Sequence, residues 1–348
     1  MATMLAAYLT GHGGNEVVAL GERPVPQRRH DEVLVRMVAG GLNRVDLYMR
    51  NSGAGITHSL PQVLGLDGVG IVEDADDDHV LPRGARVILH PGVGCGHCEF
   101  CRRGDNVLCT SMKLLGEHRD GTLSGFVCLP ASNVFALPEG LSFEDAVSLP
   151  VSFLTAWRMI HTKGTLKPWE TVLIFGIGGS VSLSALQLAK AMGARAIVTS
   201  RDPAKLQRAV ELGADHAVNG ATQDIARRVL EITGGRGVDM VFENVGEAVW
   251  PHAMKSLVRG GRIVTCGATS GEAPSADLRR LFIRQLQVIG STHGTLAEFA
   301  DLVSFMADRP FAPVFDSWHG ITGIHGALDR LESGRQFGKI GISIGDAA

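Results

Sequence analysis

Aromatic residues are scarce in this chain of 348 residues, at 5% with two tyrosines, and cysteine numbers only six. No stretch of about 18 residues is uninterruptedly apolar, since the best candidate, "AVSLPVSFLTAWRMI", is broken by Ser and Pro, so no membrane-spanning helix and no membrane partner are expected. Basic residues are not in excess either: 33 Lys and Arg against 36 Asp and Glu leave a net charge of -3, and they are dispersed. Nucleic acid is therefore not an expected partner. The start, "MATMLAAYLTGHGG", lacks both a basic leader and an adequate apolar core for a secretory signal, so a cytoplasmic, reducing setting with free thiols is expected. What is present is 45% hydrophobic and 20% charged residues, the balance of a globular chain, over a length that one core rarely fills. Two domains are expected.

The few cysteines are crowded. Residues 95 to 109, "CGHCEFCRRGDNVLC", hold Cys95, Cys98, Cys101 and Cys109. Four thiolates at this spacing can surround one tetrahedral zinc, and a reducing compartment speaks against the alternative of two strained disulfides. A four-thiolate site has no open position, so such an ion braces a lobe and takes no part in chemistry. Gly94, Gly96 and Gly104 supply the bends, and "RRGDNVL" reads as a loop. The acidic run "EDADDDH", residues 73 to 79, lacks the pattern of a calcium loop and reads as a solvated turn.

From residue 171 the sequence alternates β-branched runs ("TVLIFG", "RAIVTS", "HAVN", "VDMVFENVG", "GRIVTCG", "QVIGST") with helical stretches ("SLSALQLAKAMG", "PAKLQRAVELG", "DIARRVLEIT", "AVWPHAMKSLVRGG", "DLRRLFIRQ"). Such alternation predicts an α/β fold with a doubly wound parallel sheet. In "FGIGGSVS" the glycines Gly176, Gly178 and Gly179, followed by Ser180 and Val181, fall between a strand and a helix, where backbone amides receive a pyrophosphate. Ser182 stands where a third glycine would permit the closest helix packing, so a looser contact is expected. The next strand ends in "TSRD". Ser200, Arg201 and, one turn on, Lys205 are donors for a 2′-phosphate, whereas Asp202 before Pro203 reads as a helix cap. NADPH is the expected cofactor in preference to NADH.

With the cysteine lobe, the glycine-rich turn and the segments "GLNRVDLYMR", "LGLDGVGIVE", "GEHRDGT", "LTAW", "TGGRGVDMVFENVG", "GGRIVTCGAT" and "RQFGKIGISI", the chain resembles the medium-chain dehydrogenase/reductase superfamily of zinc alcohol dehydrogenases and quinone oxidoreductases over essentially its full length. The resemblance implies a GroES-like, β-rich catalytic domain from residues 1–140 and 291–348, a Rossmann domain from 141–290, and a homo-oligomer, dimer or tetramer. It also implies cofactor contacts from Thr155, Asn244, Val245, Gly267, Ala268 and Lys339. Zinc alcohol dehydrogenases of this family place a Cys where this chain has Asn43, a His where it has Leu66, and a further Cys near Val151. A structural zinc is thus expected and a catalytic one is not.

Reduction of an activated double bond needs no Lewis acid, because the charge that follows hydride addition spreads to an enolate oxygen that hydrogen-bond donors can hold. The expected activity is NADPH-dependent reduction of quinones or activated alkenes, such as enones, enals or enoyl thioesters. Asn43, Tyr48 and Asp46 are the expected catalytic residues: Asn43 as the amide donor, Tyr48 as a proton donor or oxyanion partner, and Asp46, with Arg50, fixing the corner through hydrogen bonds. Asp67 in "GLDG" reads as a structural hydrogen-bond partner. The alternatives are an alcohol or carbonyl dehydrogenase and, in another class, an inactive NADPH-binding protein. A different metal site built from Cys128, Cys266, His90, His118 or His293 is the remaining reserve, although Cys128 and Cys266 read as small buried strand residues.

Overall fold

In the computed structural model, which describes residues 2–76, 80–308 and 311–345, two compact units emerge. One is Met1–Val151 with Thr295–Ala348, the other Ser152–Gly294. Boundaries at 140 and 290 lie slightly earlier in the chain. The segment after 140 stays with the first unit because Val147 packs beside Gly41 and the Val151 amide donates to Asp67 Oδ1 at 2.9 Å.

The second unit is a six-stranded parallel sheet in the order His216–Asn219, Arg195–Ser200, Thr171–Ile174, Val238–Glu243, Leu257–Thr265, Gln287–Gly290. Chain order runs outward from the central Thr171–Ile174 strand in both directions, so the topology reverses beside it, the place where such sheets receive nucleotides. Residues Thr171 to Ile174 are all buried, as a strand covered on both faces must be. The helices fall at Ser180–Ala191, Pro203–Glu211, Ile225–Ile232, Trp250–Ser256 and Leu278–Ile283. One stretch departs from the expected helix: "LVRGG" belongs to the strand Leu257–Thr265, which begins before the run "GRIVTCG". Gly260, at φ 74°, and Gly261 break the helical period, and Leu257 finds a partner in Val238 across an irregular register.

The first unit is β-rich. Its main sheet runs Val134–Ala136, Arg86–Leu89, Asp67–Asp74, Glu32–Leu42, Lys339–Ser343, Phe315–Gly320, with Phe126–Pro130 also paired to Glu32–Leu42. Both chain ends contribute. A smaller sheet joins Val18–Pro24, Thr3–Leu9 and Gln62–Val63. The Lys339–Ser343 strand lies antiparallel to Glu32–Leu42 with Ile340 opposite Leu42 and Gly341 opposite Gly41, while Asp67 faces Gly41 from the other side. This register brings residues about 270 positions apart to the two flanks of one glycine. Of the acidic run, Glu73 and Asp74 end the Asp67–Asp74 strand, and residues 77–79 lie outside the described ones.

Candidate active site and metal centre

The four cysteines of the lobe converge, their sulfurs lying within 4.8 Å of one another. No cysteine among the described residues is in a disulfide. Backbone amides point at the sulfurs: Cys98 N to Cys95 Sγ at 3.3 Å, Cys101 N to Cys98 Sγ at 3.5 Å, Cys95 N to Cys109 Sγ at 3.3 Å, Ser111 N to Cys109 Sγ at 3.4 Å. The amide of Cys101 pulls the Cys98 thiol down to about 6, while burial holds the Cys101 thiol up to about 12. Four crowded sulfurs with this donor shell fit a thiophilic dication, whose charge supplies what lets all four ionise. A side chain at Gly94 would come within 3.0 Å of Cys101 Sγ, so that glycine makes room for the sulfurs, while Gly96 and Gly104 bend at φ 77° and 85°. The stretch read as a loop carries a short helical turn, Asn106–Leu108, and Asn106 Oδ1 accepts the Leu296 amide at 3.1 Å, tying the lobe to the start of the Leu296–Asp308 helix.

A second cluster forms around Asn43, the N-cap of the helix Arg44–Ser52. Asp46, fully buried, accepts the Asn43 amide at 2.7 Å and the Gly65 amide at 3.1 Å. It is thereby employed in fixing the helix start against the Leu64–Gly65 turn. Burial, only partly opposed by the Asn43 amide and Lys339, pushes its carboxyl up to about 6. The Asn43 side chain lies between charges: Nδ2 donates to Asp67 Oδ2 at 2.8 Å and Oδ1 accepts from Lys339 Nζ at 2.7 Å. Lys339 and Asp67 are themselves ion-paired, with side chains 1% and 0% exposed. Burial raises the Asp67 carboxyl, against the pull of Lys339, Asn43 and the Val151 amide. The structure thus sets Lys339 to work inside the first unit.

Tyr48 lies on the same helix, 40% exposed, its hydroxyl raised by partial burial. Arg50 is buried and bonded to Asn15 Oδ1, Asn51 Oδ1 and Glu332, a structural anchor. Glu117 was not singled out by sequence reasoning. It is 6% exposed, and burial, then the neighbouring Asp46, raises its carboxyl to about 7. Its loop packs on the turn that Asp46 holds: a side chain at Gly116 would meet the Gly65 carbonyl oxygen at 2.8 Å, so only glycine allows the approach. The only local signal was its place in "GEHRDGT".

In the second unit the strand ends assemble the expected nucleotide turn. Gly176 and Gly178 take φ 66° and 117°, and the helix Ser180–Ala191 starts at Gly179 with no side-chain cap, leaving its first amides, Ser180 and Val181 among them, free for an anion. A side chain at Gly178 would strike Lys205 Cδ at 2.7 Å, which places Lys205 over the turn. Ser200 Oγ accepts the Asp202 amide at 3.1 Å, and Asp202 caps the next helix by accepting the Ala204 amide at 2.9 Å. Arg201 is exposed. Ser182 does not loosen the helix contact as expected. Its hydroxyl donates to the Phe175 carbonyl at 2.8 Å and accepts from Asn244 Nδ2 at 2.9 Å, so a bond replaces the close approach of a glycine. Val245 lies beside Gly176, and a side chain at Gly267 would come within 2.9 Å of the Asn244 carbonyl. Glu243, missed in the sequence, is fully buried and holds this turn by accepting the Val245 and Gly246 amides and the Thr265 hydroxyl. Ala268 follows Gly267, and Thr155 is buried in the Leu154–Trp157 helix. The donors and the uncapped helix fit a dinucleotide phosphate.

The remaining candidates do not gather. Among the described residues the other potential ligand group is His30, Asp31 and Asp76, the first two exposed and the third half-buried and already paired with Arg28. His90 is buried against Asn133 and the Gly92 amide, and His118 Nδ1 accepts the Leu114 amide at 3.3 Å. His293 is buried, with φ 47°. Burial raises the Cys128 thiol to about 11 and the Cys266 thiol to about 12, out of the reactive range. No helix among the described residues is long and apolar enough to cross a membrane.

Comparison with known proteins agrees with the two units. The zinc-binding dehydrogenase family pattern matches residues 180–308 and that of the alcohol dehydrogenase GroES-like domain matches 29–139. An alcohol dehydrogenase of Geobacillus stearothermophilus is 30% identical over 322 residues, 92% of this chain and 94% of that one. A crystal structure of an NAD-dependent alcohol dehydrogenase superposes with a TM-score of 0.94 at 36% identity, covering 98% of this chain and 100% of that one. A crotonyl-CoA carboxylase/reductase superposes at 0.90 with 28% identity, over 99% and 88%. The chain belongs to the zinc-binding, medium-chain alcohol dehydrogenase family. It is an NAD(P)-dependent oxidoreductase of that type, with a GroES-like domain, a Rossmann domain and a four-cysteine structural zinc site. The relatives named alcohol dehydrogenase favour the alternative activity, alcohol or carbonyl dehydrogenation, over the quinone or alkene reduction first expected.

Proposed function

We propose that the protein is an NADPH-dependent reductase of quinones or activated alkenes that works without a catalytic zinc. The observation that carries this reading is what stands around Asn43. Where the family resemblance implies catalytic zinc ligands, the chain has an amide, Asn43, and two aliphatic side chains, Leu66 and Val151, with the Lys339 ammonium bonded to the amide oxygen. A catalytic zinc takes about three protein ligands and an open position, and this donor set does not fit one. The cofactor, when bound, supplies the hydride. As negative charge gathers on the substrate oxygen, the chain's contribution is a hydrogen-bond donor: Asn43 Nδ2 has given one of its two hydrogens to Asp67, and the other has no protein partner among the described residues. Tyr48, partly exposed on the same helix, or a water delivers the proton to carbon. Asp46 serves by holding the helix start.

The choice of NADPH rests on Ser200, Arg201 and Lys205, with the carboxylate at the strand end, Asp202, capping the next helix through Oδ1. A homo-oligomer is supported by the exposed Leu278 and Phe282 next to the edge strand Gln287–Gly290. Alcohol or carbonyl dehydrogenation remains the second reading, favoured by the names of the relatives. The deciding experiment combines metal counting with NADPH and NADP+ turnover on quinones, enones, an enoyl thioester, aldehydes and simple alcohols. One zinc per chain with turnover of quinones or alkenes supports the proposal. Two zincs, or turnover confined to alcohols and aldehydes, overturns it.

A further inference from the structure

We propose that Lys339 is a positioning residue, a built-in organic cation that locks the Asn43 carboxamide in one orientation. The inference deepens the metal-free reading above and rests on it. It starts from the sheet register. Gly41 lies opposite Gly341 on one side and Asp67 on the other, and it has no side chain to separate its neighbours. A Cβ at Gly41 would lie 2.7 Å from Lys339 Cε, 3.0 Å from Val147 Cγ1 and 3.1 Å from Asp67 Oδ2. The lysine stem therefore crosses the strand through the space the glycine leaves, and its ammonium reaches Asp67 and Asn43 together.

A buried lysine is costly unless paired and hydrogen-bonded, and this one is both. Its consequence falls on Asn43. An amide placed between an ammonium and a carboxylate has one favourable orientation, oxygen toward the ammonium and nitrogen toward the carboxylate. Turning it over would set donor against donor and acceptor against acceptor. Asn43 is 7% exposed, so the remaining Nδ2–H is held still rather than solvated and rotating. A donor fixed in advance costs no reorganisation when an oxyanion forms. The cation also offsets the two carboxylates, Asp67 and Asp46, that would otherwise oppose negative charge developing beside Asn43.

Replacing Lys339 alone strands the Asp67 charge, so the test uses Lys339→Met/Asp67→Asn beside Lys339→Met. In the double variant both charges that flank the Asn43 amide are gone, and the amide is free to turn. We expect it to fold, with kcat down about 100-fold, the size of a lost oxyanion donor, and with the Kd for NADPH changed by less than about threefold. The Asn43 side-chain amide, followed by NMR in protein labelled at asparagine, should show one slowly exchanging Nδ2 hydrogen in the parent and none in the double variant. An unchanged kcat in the folded double variant overturns the proposal. So does a large rise in the NADPH Kd with kcat retained, which would make Lys339 a cofactor ligand. Fast exchange of both Asn43 hydrogens in the parent would also sink it. If the parent instead oxidises alcohols with two zincs, the reaction proposed above fails separately, and the amide exchange still reports on Lys339.

Discussion

The two polar clusters of the first unit make a pair worth setting side by side. The cysteine lobe gathers four like ligands from fifteen residues, with backbone amides aimed at the sulfurs, an arrangement that calls for an external cation. The Asn43 cluster gathers an amide, a carboxylate and an ammonium from three strand ends, and its cation is part of the chain. One site is completed by an ion, the other by folding. What differs is the source of positive charge: a bound ion for the lobe, the Lys339 side chain beside Asn43.

The contrast can be broken or sharpened experimentally, beginning with the largest effect. Removing zinc with a chelator, or changing Cys101→Ser, should cost the lobe binding energy on the order of 10 kcal/mol and unfold residues 95–113 locally. Proteolysis at that loop and metal analysis would register it, whereas the same chelator should leave the Asn43 amide exchange unaltered. Next comes Lys339→Met, which leaves a buried carboxylate unpaired and should cost about 3–5 kcal/mol in denaturant unfolding. If it costs nothing, the internal cation is not a structural counterpart of the zinc.

Glu117 gives a third, smaller effect. Its folded carboxyl, at about 7, stands above the ordinary 4.5 of an exposed glutamate. Between those values the unfolded chain has lost a proton that the folded one keeps, so raising the pH across this window lowers stability, and the loss persists above it. Glu117→Gln should flatten the slope and gain about 2–3 kcal/mol at pH 8, measured by urea unfolding at several pH values. In the nucleotide unit, Arg201→Ala/Lys205→Ala should raise the KM for NADPH about tenfold and leave that for NADH nearly unchanged, since only the 2′-phosphate loses its donors.

Much of the architecture was open to reading because its causes are local. The strand and helix alternation after residue 171 is written in β-branched runs and caps, so Asp202 with Pro203 and the glycines after Phe175 could be placed from neighbours alone. The helix that gave way to strand at Leu257 was misread because its pairing partner, Val238, lies on another strand. At the Asn43 cluster the same limit applied: Asp46 was legible as a residue holding the corner, whereas nothing near Lys339 in the sequence points to Asp67.

Sequence alone determined the cysteine quartet and the glycine turn, since each depends on residue chemistry at short spacing. That positions 43, 66 and 151 are those of missing metal ligands is what the family resemblance implies. Only the tertiary structure decided that Lys339, Asp67 and Asn43 form one network, that Glu117 is buried beside Asp46, and that Ser182 bridges two strands. The reason is physical: sheet register and the missing side chain of Gly41 set which distant residues meet, and a charge's environment exists only once they have met.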